Sequence, residues 1–132
     1  KWANRMRIGI STNDKTPFAP FSVDNNINIR GVGNTIDRGT GSIVFNTEYR
    51  HTLVDKHNIV LQSNVFVDSG TWRLPGGSLS NFTDSNNIKV YTGLGFRVIH
   101  KKIFNAIFRL DYGVGLTQDA TRGIVFGIGQ YF

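Results

Sequence analysis

Apolar and polar residues alternate one by one along six stretches of this chain, at 4–12, 40–52, 58–69, 87–100, 104–116 and 123–132. A period of two puts successive side chains on opposite faces of an extended backbone, so each stretch predicts a β-strand with one apolar and one polar face. No stretch carries the three-to-four spacing of an amphipathic helix. The strands are also long, most of them about ten residues or a little more, where globular strands usually run to five or six. About ten residues is what a tilted strand needs to cross a bilayer.

The faces are uneven in chemistry. In the fourth stretch Ile88, Val90, Thr92, Leu94, Phe96 and Val98 oppose Lys89, Tyr91, Gly93, Gly95 and Arg97. In the fifth, Phe104, Ala106, Phe108, Leu110, Tyr112, Val114 and Leu116 oppose Asn105, Ile107, Arg109, Asp111, Gly113 and Gly115. The others repeat the pattern: Ile59, Leu61, Val65 and Val67 against Gln62, Asn64 and Asp68; Ile43, Phe45 and Tyr49 against Asn46, Glu48 and Arg50; Met6, Ile8 and Ile10 against Arg5 and Arg7. Mid-strand charges keep to the polar, Gly-rich face. A soluble sandwich with one buried face shows the same alternation, but it rarely strings together so many strands of this length. The pattern therefore predicts an all-β, antiparallel transmembrane β-barrel with a polar interior.

Connection lengths agree. Residues 13–39 form a long link, 53–57 a short one, 70–86 a long one and 101–103 a short one. Outer-membrane barrels alternate short periplasmic turns with long external loops. With the long loops outside, the last strand descends and Phe132 ends on the periplasmic side. Six strands fall short of the eight or so that close a barrel. The expectation is that residues 1–132 are the C-terminal portion of a larger barrel with no second domain, the remaining strands coming from the same polypeptide or another chain.

Composition excludes other classes. No run of about 18 apolar residues occurs, so a transmembrane helix is excluded. Lys1, Trp2, Arg5 and Arg7 flank no apolar core of a signal peptide, as in a mature segment cut from a longer precursor. The chain has no Cys, which suits an oxidising compartment. The net charge of +6 is scattered, without a dense Lys/Arg run interleaved with aromatics, so nucleic acid is not an expected partner. His51, His57 and His100 lack partners at metal-ligand spacing and no catalytic constellation is present, so neither an enzyme activity nor a metal or other cofactor is expected of this chain.

Two local patterns are more specific. Ile124, Phe126, Ile128 and Phe132 share one phase of the last stretch, with Gly129 and Gln130 between them. This resembles the C-terminal assembly signal of outer-membrane proteins, a strand that pairs by its backbone with the edge of the barrel assembly machinery. The second pattern is Ile29-Arg30-Gly31-Val32 in the long first connection, followed by Glu48 and then by Phe66, Asp68 and Gly70 in the order F-x-D-x-G. Together these resemble the Omp85 superfamily, the surface-antigen type of outer-membrane barrel, along essentially the whole chain.

That resemblance implies a barrel of about sixteen strands, of which this chain would supply the last six. It implies that the loop carrying Arg30 folds back into the lumen, where Arg30 reaches Glu48 and Asp68, with Gly31 permitting the tight backbone and Gly70 ending the strand. Val32 stands where the family has an aromatic. The implied function is a protein assembly or translocation pore in a bacterial-type outer membrane. Its partners would be outer-membrane lipid, the missing barrel strands, the barrel assembly machinery and client proteins. The alternative is a barrel that anchors an N-terminal hydrolase, patatin-like or phosphoesterase.

Overall fold

The computed structural model describes residues 1–13, 15, 19–23, 29–33, 37–103, 106–117, 121–130 and 132. It is an all-β structure. Six strands form one antiparallel sheet: β1 (Trp2–Ile10), β4 (Gly41–Lys56), β5 (Ile59–Arg73), β6 (Lys89–His100), β7 (Ala106–Gly115) and β8 (Arg122–Ile128). Two short strands, β2 (Phe21–Val23) and β3 (Asp37–Gly39), pair with each other inside the long first connection. A 3-10 turn, Leu79–Thr83, lies in the connection from β5 to β6. No helix among the described residues is long and apolar enough to cross a membrane, which leaves crossing by strands open.

Within the six-stranded sheet each strand pairs with the next one in chain order, across the two long connections as well as the short turns. β4 and β5 are longer than the alternation alone delimits. Their pairing continues past a bulge at Thr52/Val54 to Lys56 and Ile59, so the link expected at 53–57 shrinks to His57 and Asn58. His57 takes φ +26°, the positive region that a two-residue hairpin asks of a central residue. The start expected for the fifth strand, at Phe104 and Asn105, lies outside the described residues.

The two faces differ as the alternation requires. Met6, Ile8, Phe45, Val65, Leu94, Leu110, Ile124 and Phe126 are all exposed on one face. On the other, Asn46, Glu48, Asn64, Asp68, Arg97 and Asp111 are buried. The polar face is concave, as two contacts show. Arg97 on β6 reaches past β5 to Glu48 on β4 at 2.6 Å, and Arg5 on the first strand stands 5.2 Å from the ring of Phe132, beyond the last strand. Five flat strand spacings of about 4.8 Å would separate those edges by roughly 24 Å. Curling brings side chains of distant strands together on the inner face.

The end of the chain departs from the expected alternation. β8 stops at Ile128, and Gly129 adopts φ +97°. This turns the chain inward, so that the side chain of Gln130 accepts a hydrogen bond from Arg97 at 2.9 Å. Phe132 therefore does not share the outer face with Ile124, Phe126 and Ile128. Its ring lies near the guanidinium groups of Arg5, Arg30 and Arg50, and its carbonyl accepts from Arg50 at 2.9 Å. The left-handed glycine breaks the period of two.

Candidate functional site: a loop held by a buried ion cluster

The first connection returns across the concave face, and residues 29–32 are buried against it. Ile29, Val32, Val23, Trp72 and Tyr91 form an apolar cluster under it. Val32 thus fills its place by packing. Gly70 does not end a strand, since β5 runs on to Arg73. A Cβ there would stand 2.7 Å from Cδ1 of Ile29, so the missing side chain makes room for the loop.

Arg30 is fully buried and enclosed by carboxylates. Its Nε and Nη2 donate to the two oxygens of Asp68 at 2.8 and 2.9 Å, and its backbone N–H donates to the same carboxylate at 3.0 Å. Its Nη1 donates to Glu48 at 2.6 Å and lies 3.9 Å from Asp111. Below, the guanidinium carbon stands 3.7 Å from the centre of the Phe66 ring. A planar fork of donors can serve two carboxylates and stack on an aromatic at once, which an ammonium cannot. Burial disfavours the Arg30 charge, but hydrogen bonds and attraction from Asp68, then Glu48, outweigh it and hold the guanidinium above the usual arginine range.

The cluster extends beyond these three residues. Glu48 also accepts from Arg97 and from Arg50. Asp111 accepts from Arg109 at 3.1 Å and from the side-chain amide of Asn64 at 3.1 Å. Arg97 and Arg109 are direct cross-strand partners, an unfavourable pairing of like charges. They separate by engaging different acids, Arg97 with Glu48 and Arg109 with Asp111. Breaking one partner of such a buried network typically costs about 3–5 kcal/mol.

Backbone contact seats the loop as firmly as charge. Register aligns Glu48, Phe66, Gly93, Gly113 and Gly123 in one row across β4 to β8. The backbone of Arg30 and Gly31 rests on this row. A Cβ on Gly113 would meet the carbonyl oxygen of Arg30 at 2.5 Å and Cα of Gly31 at 2.9 Å. Gly31 itself has φ +93°, which favours glycine. At the far side, the Thr121 hydroxyl donates to the carbonyls of Gly31 and Val32 at 3.2 and 2.9 Å. It also pairs with the Tyr91 hydroxyl at 2.8 Å. The residue before β8 thus clamps the loop to the buried tyrosine of β6.

Of the residues singled out from sequence, Ile29, Arg30, Gly31, Val32, Glu48, Phe66, Asp68 and Gly70 converge on this site. Ile124, Phe126 and Ile128 lie away from it on the outer face, while Phe132 approaches Arg30 from the inside. Arg50, Asn64, Asp111, Tyr91, Arg97, Thr121 and Gln130 also belong to it. Alternation put Arg97 and Asp111 on the inner phase, but their cross-sheet partners depend on curvature and register. Among the described residues, no group of three or more His, Cys, Asp or Glu could hold a metal ion. The cluster presents fixed charges, Arg30, Arg50, Arg97 and Arg109 against Glu48, Asp68 and Asp111.

Fold and site together define an all-β chain that fastens one of its own loops to the polar face of a curled antiparallel sheet. Comparison with protein-family models, curated proteins and solved structures returned no match.

Proposed function

We propose that this chain is the C-terminal portion of an outer-membrane barrel of the Omp85 type, acting in the assembly or translocation of proteins. The observation that carries this reading is the seating of Arg30 between Glu48 and Asp68, because the same loop-to-strand partnership is what the sequence resemblance implies. The exposed apolar face supports a lipid environment. So do strands of 16, 15, 12 and 10 residues in β4 to β7, against the nine to eleven or so that a tilted strand needs.

The mechanism is physical and needs no cofactor. β1 and β8 are the outer strands of the six-stranded sheet. In the complete barrel, the seam along β8 opens, and its backbone donors and acceptors template an incoming client strand. The ion cluster keeps the loop seated, so that the curled inner face retains its shape while the seam works. During biogenesis the apolar row Ile124, Phe126 and Ile128, with Gly129 and Phe132 beyond it, addresses the chain to the assembly machinery.

The test is client assembly in cells whose only copy of the full-length protein carries Arg30→Ala or Asp68→Asn. Client barrels should accumulate unfolded although the variant itself reaches the outer membrane. Normal client levels with either variant, present in normal amount, would overturn the assembly reading.

A further inference from the structure

The short-turn end of the sheet carries lysines that the ion cluster does not use. Lys56 and His57 close the β4–β5 hairpin, and His100, Lys101 and Lys102 lead out of β6. The two turns touch, since the backbone N–H of Lys101 donates to the carbonyl of Asn58 at 2.8 Å. The only carboxylate engaged there among the described residues is Asp55, which takes Lys101 at 2.5 Å. Lys56 and Lys102 are exposed and have no ion-pair partner among the described residues.

At the opposite end two cations are engaged with loops, while Arg38 is exposed. Lys89 is paired with Asp37, and Arg73 donates to the carbonyls of Ser11 and Thr40 at 2.8 and 3.3 Å. Those charges are spent on holding loops. Around the lysines of the short-turn end the surface is instead apolar: Leu53, Val54, Ile59 and Ile103 are all exposed, continuous with Val98, Phe108 and Ile128 of the outer face. Flexible ammonium groups directly beside an exposed apolar band suit the level at which acyl chains give way to headgroups, where lysine stems lie along hydrocarbon and the charge reaches the polar layer.

We infer that the short-turn end, through Lys56, Lys101 and Lys102, binds the headgroup phosphates of anionic phospholipid in the adjoining leaflet. This rests on the bilayer reading above, and adds a lipid preference to it. Charge complementarity selects the occupant: Lys56 and Lys102, which no carboxylate among the described residues engages, beside Lys101 and next to an apolar wall, fit a phosphodiester whose acyl chains lie against that wall. A zwitterionic headgroup brings its own cation to the site and gains less.

The full-length protein, reconstituted in phosphatidylcholine vesicles, would be titrated with spin-labelled phosphatidylglycerol or spin-labelled phosphatidylcholine. The motionally restricted fraction measures association with each. Phosphatidylglycerol should associate more strongly, and Lys56→Gln with Lys102→Gln should remove most of that preference, by roughly fivefold per lysine at low salt. Arg38→Gln, an exposed cation of the other end, should leave it unchanged. Equal association of both lipids with the wild type, or a preference untouched by the double variant, would overturn the inference and leave the bilayer reading standing. Failure to embed in vesicles of either lipid would overturn both.

Discussion

Asp68 receives three hydrogen bonds from Arg30, two from the guanidinium and one from the backbone N–H. The carboxylate therefore fixes both the side chain and the backbone of the loop residue, and the bidentate geometry leaves it little freedom to pair elsewhere. Asp68→Asn should strand a buried guanidinium and cost about 3–5 kcal/mol, read as a lower denaturation midpoint. Trypsin cleavage after residue 30, blocked while Arg30 is fully buried, should become rapid. Arg30→Lys should not preserve stability, since one ammonium cannot satisfy Asp68 and Glu48 together. An unchanged midpoint in both variants would refute the anchoring role of the pair.

Gly113 and Gly123 are neighbours in one row but should differ sharply in tolerance. A Cβ on Gly113 collides with the loop backbone at 2.5 Å, whereas on Gly123 the nearest loop atom is 3.5 Å away. Gly113→Ala should cost about 1–3 kcal/mol and expose Arg30 to trypsin, because backbone cannot move aside as a side-chain tip can. Gly123→Ala should be near neutral. Equal protease resistance in the two variants would count against the glycine row as the seat.

Thr121 ties the start of β8 to the loop through its hydroxyl. Thr121→Val keeps the shape but leaves buried acceptors on Gly31 and Val32 unpaired, at about 1–3 kcal/mol, while Thr121→Ser should retain most of the stability. Since the Tyr91 hydroxyl pairs with Thr121, Tyr91→Phe and Thr121→Val should be non-additive in a double-mutant cycle. Strict additivity would mean that the two hydroxyls act separately.

The other end of β8 is tied as well, through Gln130 to Arg97 and through Arg97 to Glu48. Arg97→Met should loosen Gly129 and Gln130 and speed hydrogen exchange at Gly129, whose N–H donates to the carbonyl of Ile107 at 2.7 Å. Phe126→Ala, on the exposed outer face, should leave that exchange unchanged. Equal exchange rates in the Arg97 variant and the wild type would remove Arg97 as a tether of the last strand.

Much of this architecture is written in one dimension. A period of two is a property of consecutive residues, so the alternation delivered the strands, their apolar face and the phase of Glu48, Phe66, Asp68, Arg97 and Asp111. Long and short connections set the neighbour order in the same way. Boundaries were less legible: β4 and β5 extend because cross-strand pairing continues past the bulge, and β8 ends early because Gly129 turns left-handed.

What the sequence by itself determined is therefore a set of two-faced strands and their order, while a partnership of Arg30 with Glu48 and Asp68 came only as what the family resemblance implies. Only the tertiary structure decided which charges meet. Arg97 reaches Glu48 and Asn64 reaches Asp111 because the sheet curls and projects side chains of nonadjacent strands toward a common interior, while Arg50 and Arg109 pair within their own strands with acids two residues away. Gly93, Gly113 and Gly123 become a seat only when register aligns them across three strands beneath a loop some eighty residues away from Gly113. Alternation specifies which way a side chain points; curvature and register specify what it finds there.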